Sequence, residues 1–188
     1  MDFIDFEDSS FLIPIPRIFH SFFHEGVFPE CSVCETTLLE DGVSYYIEKA
    51  YNKGEVIFEY AMCNNCRCSM EGEISDESQM AIFNYFFEHL EQMQKHEELI
   101  GNFDNSVKPW LDACLITEKK RDQTDKYQIC AECNGRNLVV AFLPFMISSE
   151  ATEGMQGLLS KKTRESFDGF VKDVLNPPVD FHDIPILI

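Results

Sequence analysis

Cysteine is the residue type in this chain with the most chemistry to offer. There are eight, and six of them fall into three Cys-x-x-Cys pairs: Cys31/Cys34, Cys63/Cys66 and Cys130/Cys133. Cys68 and Cys114 stand apart. A Cys-x-x-Cys turn lets two sulfurs converge on one ion, and four thiolates satisfy the tetrahedral preference of Zn2+. Between the first two pairs lie 28 residues. If that stretch is a β-hairpin, its strands return the chain to its starting point and the two pairs meet. Cys31, Cys34, Cys63 and Cys66 are therefore the expected metal ligands. A set of four thiolates is closed and anionic, whereas a catalytic zinc keeps a position open for water. The expected role is structural, and no catalytic residue is singled out.

The hairpin is legible. VSYYIEKAY (43–51) and EVIFEYAM (55–62) are rich in β-branched and aromatic residues, and Asn52-Lys53-Gly54 between them is a turn signal. Two knuckles joined through a hairpin, with four cysteines, resemble a zinc ribbon over about residues 28–70. A treble clef is the neighbouring arrangement. Its helix would start at the second knuckle, whereas the first strong helical pattern here begins about ten residues later.

A second, less complete set follows. Cys114-Leu115-Ile116-Thr117 has knuckle spacing with threonine in the last place, and Cys130-Ala131-Glu132-Cys133 follows a polar stretch, KKRDQTDK. This looks like a degraded second ribbon at about 112–140. Its turn is expected near Arg121 to Asp125, with Cys114, Cys130 and Cys133 close together. A weak second metal site there would draw its fourth ligand from His182 or another remote group. Each ribbon precedes an amphipathic segment, which suggests a ribbon-plus-helix repeat. His20 and His24 have helical chelating spacing but no local third ligand, and Cys68 is expected to be non-ligating.

Enzyme patterns fit poorly. His89-Leu90-Glu91 with Cys130/Cys133 matches a zinc deaminase in outline, but Ile129 stands where proline belongs. Cys130/Cys133 lacks the βαβ frame of a thioredoxin-like redox pair. A rubredoxin-like iron site would use the same four cysteines as zinc. No P-loop, Gly-x-Gly-x-x-Gly, His-Glu-x-x-His or Gly-x-Ser-x-Gly occurs.

Several elements must position these groups. Residues 76–100 are expected to form a helix, N-capped by Ser75, with Met80, Phe83, Phe87, Leu90 and Met93 as a core-facing stripe. Ser160 caps a second helix over 161–175, whose Phe167, Phe170 and Val174 are expected against the second ribbon. Asn176-Pro177-Pro178 stops it. Leu138 to Phe142 reads as a buried strand, and the apolar tail VDFHDIPILI as docked. The fold class is α+β, small antiparallel hairpins with packed helices. Three segments are expected: an aromatic and acidic 1–27, a ribbon plus helix at 28–104, and a degraded ribbon with helix and tail at 105–188.

Composition bounds the partners. Among 188 residues, 33 are acidic and 15 basic, a net charge of −18. Phosphate backbones and anionic membranes repel such a surface, so neither nucleic acid nor membrane is expected as a partner. MDFIDFEDSSFLIPIPRIF has no basic n-region and reads as no secretory signal, and no apolar run is long enough to span a membrane. The expectation is a cytoplasmic protein whose cysteines hold metal rather than disulfides. Its expected function is a non-enzymatic, zinc-stabilised interaction surface for a protein partner, a basic one suiting the charge best. One alternative is an acidic inhibitor or immunity-type protein that masks a basic partner. The other is a zinc-dependent or thiol redox enzyme.

Overall fold

The computed structural model describes residues 11–172. The tail, His182, Val174 and Leu175 lie outside the described residues. The fold is α+β: among the described residues, a six-stranded, wholly antiparallel sheet with six α-helices. Strands are β1 (Phe11–Pro14), β2 (Ser44–Asn52), β3 (Glu55–Cys63), β4 (Lys126–Asn134), β5 (Asn137–Val140) and β6 (Phe145–Ser148). Helices are α1 (Asn64–Glu71), α2 (Asp76–Glu88), α3 (Leu90–Gly101), α4 (Lys108–Leu111), α5 (Ser149–Gly157) and α6 (Lys161–Phe170). The sheet order is β1-β5-β4-β2-β3, and β6 also pairs with β4, beyond β5.

The first hairpin forms as its sequence requires. Lys53 and Gly54 both take positive φ, 50° and 82°, the backbone a two-residue I′ turn demands. β2 and β4 pair along their whole lengths, from Ser44 opposite Asn134 to Asn52 opposite Lys126. One hydrophobic cluster runs through both halves of the chain, with Tyr45, Ile47, Ile129 and Met146 nearly sealed from solvent.

The second hairpin turns elsewhere than expected. Arg121–Gln123 is a short 3-10 turn leading into β4. The reversal falls at Gly135 and Arg136, between β4 and β5. Gly135 takes φ 54°, its N–H donates to Val43 O at 3.0 Å, and its carbonyl accepts from Tyr45 Oη. A Cβ here would lie 2.9 Å from the Glu40 carbonyl oxygen, which is backbone and cannot swing away. Gly135→Ala is therefore expected to destabilise the fold by about 2 kcal/mol or more, lowering Tm by roughly 4–8 °C in a thermal melt.

The helical region departs from its pattern in three ways. First, the helix expected over 76–100 breaks at His89 into α2 and α3. Second, most of the stripe expected in the core faces solvent. Met80, Phe83, Phe87 and Leu90 are exposed, Phe83 and Phe87 by 63% and 62%, and only Met93 is buried. The inward side of α2 is Ser78, Ile82, Tyr85 and Phe86. Both faces of α2 carry large apolar groups, so periodicity cannot choose between them. Third, a helix starts directly at the second knuckle. The polar sequence NNCRCSME forms α1, with Met70 buried and the Arg67 guanidinium 4.4 Å over the Tyr46 ring. The caps are as expected: Ser75 Oγ accepts from Ser78 N, and Ser160 Oγ from Thr163 N.

Candidate metal centre

The knuckle at Cys31 is a tight turn held by its own backbone. Cys31 N–H donates to Thr36 O at 2.8 Å, and Glu35 N–H donates to Cys31 O at 2.9 Å. Glu35 takes φ 60°, uncommon for a residue with a Cβ. Ser32 pins this turn to β3: its N–H donates to Ala61 O at 2.8 Å, and its Oγ accepts from Ala61 N at 3.1 Å. Cys63 ends β3 and N-caps α1, and Cys66 lies in that helix's first turn. The hairpin thus carries the second knuckle back to the first, as the spacing requires.

The four sulfurs of Cys31, Cys34, Cys63 and Cys66 all lie within 4.8 Å of one another. Cys34 Sγ and Cys63 Sγ are 3.7 Å apart. Zn–S bonds of about 2.3 Å at tetrahedral angles give an S···S edge of about 3.8 Å, so the set can chelate such an ion. Cys31 and Cys63 are buried, Cys66 half-buried and Cys34 exposed. Cys31 Sγ accepts from Cys63 N at 3.3 Å and Val33 N at 3.5 Å, donors that a thiolate ligand wants. The backbone N–H of Cys66, in the first turn of α1, bonds the Cys63 sulfur and favours its thiolate.

The electrostatics match a site that needs a cation. Hydrogen bonds from the Thr36 hydroxyl and backbone hold the Cys34 thiol down to about 6. Burial pushes Cys63 and Cys66 up, and for Cys66 the neighbouring thiols add to it. Ionising all four together requires compensating positive charge, which a divalent ion supplies.

Sequence reasoning identified the four sulfurs but missed Ser32 and Thr36, which aim them. Their only signal is a small polar residue inside and just after the first knuckle. Cys68 is exposed and outside the cluster, its Sγ 3.9 Å from Asn64 Oδ1. His20 Nε2 bonds Ile15 O at 3.0 Å, a structural contact.

The second set is not brought together. Cys130 lies at the centre of β4 and Cys133 next to its end, opposite Glu48 and Tyr45. Residues three apart in a strand point to opposite faces, so this Cys-x-x-Cys is no knuckle. Burial pushes Cys130 up strongly and Cys133 to about 12, so both are held as thiols. Cys114 sits apart, in a turn like that of Cys31. Its Sγ accepts from Thr117 N at 3.4 Å, Ser148 N at 3.3 Å and Ser148 Oγ at 3.4 Å. Burial raises the Cys114 thiol, but these donors outweigh it and leave its pKa below the ordinary value. Among the described residues, the four-cysteine cluster is the one group of three or more His, Cys, Asp or Glu within ligand distance.

No helix among the described residues is long and apolar enough to cross a membrane. No protein-family model matches the chain, and no curated protein or solved structure is significantly similar to it.

Proposed function

We propose that the chain is a non-enzymatic zinc protein whose metal locks a knuckle, a hairpin and α1 together, and that the outer face of α2 and α3 docks a basic protein partner. The observation that carries the metal reading is the convergence of four sulfurs from two separate knuckles within 4.8 Å. Four thiolates fill a tetrahedral ion and leave no place for substrate water, which favours structure over catalysis. A helix starting at the second knuckle, with Cys66 in its first turn, fits a treble clef better than a ribbon.

Elemental analysis of protein purified without added metal tests this: one zinc per chain is expected. Absence of metal, with melting unchanged by a strong chelator, overturns it. One iron in place of zinc would instead mark a rubredoxin-like centre.

The docking face is Met80, Phe83, Phe87 and Leu90, with Phe83 and Phe87 stacked at 6.2 Å. Asp76, Glu77, Glu88 and Glu91 lie on the same two helices, in a chain of net charge −18. Apolar anchors amid acidic groups suit an amphipathic helix with a basic rim. A synthetic Leu/Lys amphipathic peptide should bind the full chain, more weakly as salt rises, and at least tenfold more weakly to F83S/F87S. That variant leaves the charge unchanged, so equal binding by both proteins would reduce the effect to bulk electrostatics and sink this face as a docking site.

A further inference from the structure

The turn at Cys114 repeats the backbone hydrogen bonds of the Cys31 knuckle. Cys114 N–H donates to Lys119 O at 2.9 Å, as Cys31 N–H does to Thr36 O at 2.8 Å. Glu118 N–H donates to Cys114 O at 2.9 Å, as Glu35 N–H does to Cys31 O, also at 2.9 Å. Both glutamates take positive φ, 54° and 60°. Each knuckle closes on a single antiparallel bridge, Ala113 with Lys120 and Glu30 with Thr37.

The correspondence extends to the groups each knuckle meets. Leu115 N–H donates to Met146 O, as Ser32 N–H does to Ala61 O, both at 2.8 Å. Ser148 N–H donates to Cys114 Sγ, as Cys63 N–H does to Cys31 Sγ, both at 3.3 Å. Ser148 ends β6 and N-caps α5, as Cys63 ends β3 and N-caps α1. Tyr127 faces Ser148 across its strand pair, as Tyr45 faces Cys63. By these equivalences Thr117 stands where Cys34 does, Ser148 where Cys63 does, and Ala151 where Cys66 does.

The two halves also meet in a reciprocal way. β2 and β4 each have nine residues and pair antiparallel with Glu48 opposite Cys130 at the centre. The N-termini of α2 and α6 bond reciprocally. Ser75 N–H donates to Thr163 Oγ1 at 3.1 Å, and Ser160 N–H donates to Ser78 Oγ at 2.9 Å. Each of these helices reaches across to the other half. Tyr85 of α2 donates its hydroxyl to Ala151 O at 3.0 Å, while Phe167 and Phe170 of α6 lie beside Cys66 and Met70.

We propose that the chain is one knuckle–hairpin–helix module repeated in tandem and folded as an internal pseudo-dimer. Cys114, Thr117, Ser148 and Ala151 occupy the four ligand positions of a second, latent metal centre. In that centre hydrogen bonds to one sulfur tie the knuckle to the helix in place of an ion. Ser148 Oγ donates to Cys114 Sγ and accepts from Ala151 N at 3.3 Å, so it bridges three of the four positions. The latent ligand set differs from the one expected from Cys-x-x-Cys spacing: it keeps Cys114 and Thr117 and excludes Cys130 and Cys133.

The proposal rests on the metal reading of the first centre. Its test is T117C/S148C/A151C in the full chain, purified beside the unaltered protein with zinc present. The variant should hold one more zinc per chain than the unaltered protein, two against one. Cobalt substitution should add a second thiolate-to-cobalt absorption of matching intensity. Equal metal content in a variant that still unfolds cooperatively overturns the proposal. An unaltered chain without metal would sink the first reading alone, because a gain of one equivalent would still identify the latent set. If the triple variant does not fold, the converse substitution C34T/C63S/C66A decides. It gives the first centre the second one's residues, and it should melt at a higher temperature than metal-free C63S. A Tm at or below that of C63S overturns the proposal.

Discussion

Cys63→Ser is expected to release the zinc proposed for the four-cysteine cluster and to loosen the first half of the chain. Cys63 is buried, ends β3, and lies 3.7 Å from Cys34 Sγ. Serine is a good N-cap, as Ser148 shows at the start of α5, so the cap of α1 survives and the loss falls on the ligand. With three thiolates left, the ion is held far more weakly, and metal binding energy at such a site is folding energy. The shared core persists, so the chain is expected to stay folded but less stable. A loss on the order of 4–5 kcal/mol corresponds to a Tm lower by roughly 8–20 °C. Elemental analysis and thermal melting read both effects. The unaltered protein treated with a strong chelator should converge on the same melting temperature. A variant that keeps its zinc, or that melts within a degree or two of the unaltered chain, would remove Cys63 from the ligand set. The same ligands must be deprotonated to bind, so acid should release zinc from the unaltered chain.

Lys49→Met is expected to be nearly as damaging, for a different reason. Lys49 and Glu59 form an ion pair of 3.2 Å, with side chains only 4% and 2% exposed. Lys49 Nζ also donates to the His20 carbonyl. The Glu59 carboxylate accepts from Ser21 Oγ at 2.6 Å, Phe22 N at 2.8 Å and Phe23 N at 3.3 Å. The pair therefore anchors the 20–24 segment to the sheet. Methionine fills similar volume but leaves a buried carboxylate without its cation. Removing one partner of a buried pair costs about 3–5 kcal/mol, so Tm should fall by roughly 6–20 °C. Glu59→Gln keeps one acceptor oxygen for Ser21, Phe22 and Phe23 and replaces the other with an NH2 donor; it should cost less with Lys49→Met present than in its absence, because the two charges leave together. A double-mutant cycle by denaturant unfolding checks this. Additive single effects would show that the two charges do not interact.

The exposed face of α2 shows how local and tertiary information divide. The sequence marks Met80, Phe83, Phe87, Leu90 and Met93 as one core-facing stripe, but the first four face outward and only Met93 is buried. Ile82, Tyr85 and Phe86 form a second apolar face on the same helix, and the sheet and α5 take that one. Helical periodicity states which residues share a face. It cannot state which of two apolar faces finds a partner.

What the sequence determined by itself was local. The hairpin from 44 to 63 follows from β-rich runs around Lys53-Gly54, and its closure brings Cys31, Cys34, Cys63 and Cys66 together. The caps at Ser75 and Ser160 were likewise legible, because an N-cap depends on residues within one turn. Tertiary structure alone decided the rest. NNCRCSME has no apolar period, and α1 forms where Met70 is buried and Arg67 covers Tyr46. Cys130-x-x-Cys133 has knuckle spacing, but β2 draws it into a nine-residue ladder, where alternation splits the two thiols between opposite faces. The counterpart of Cys63 is Ser148, a residue that no spacing rule connects to Cys114. It was found only where the sulfur meets it, 34 residues along the chain. Turns, caps and hairpins are written in neighbouring residues. Which faces are covered, and which distant groups meet at one sulfur, is settled by contacts between segments that carry no mark of each other.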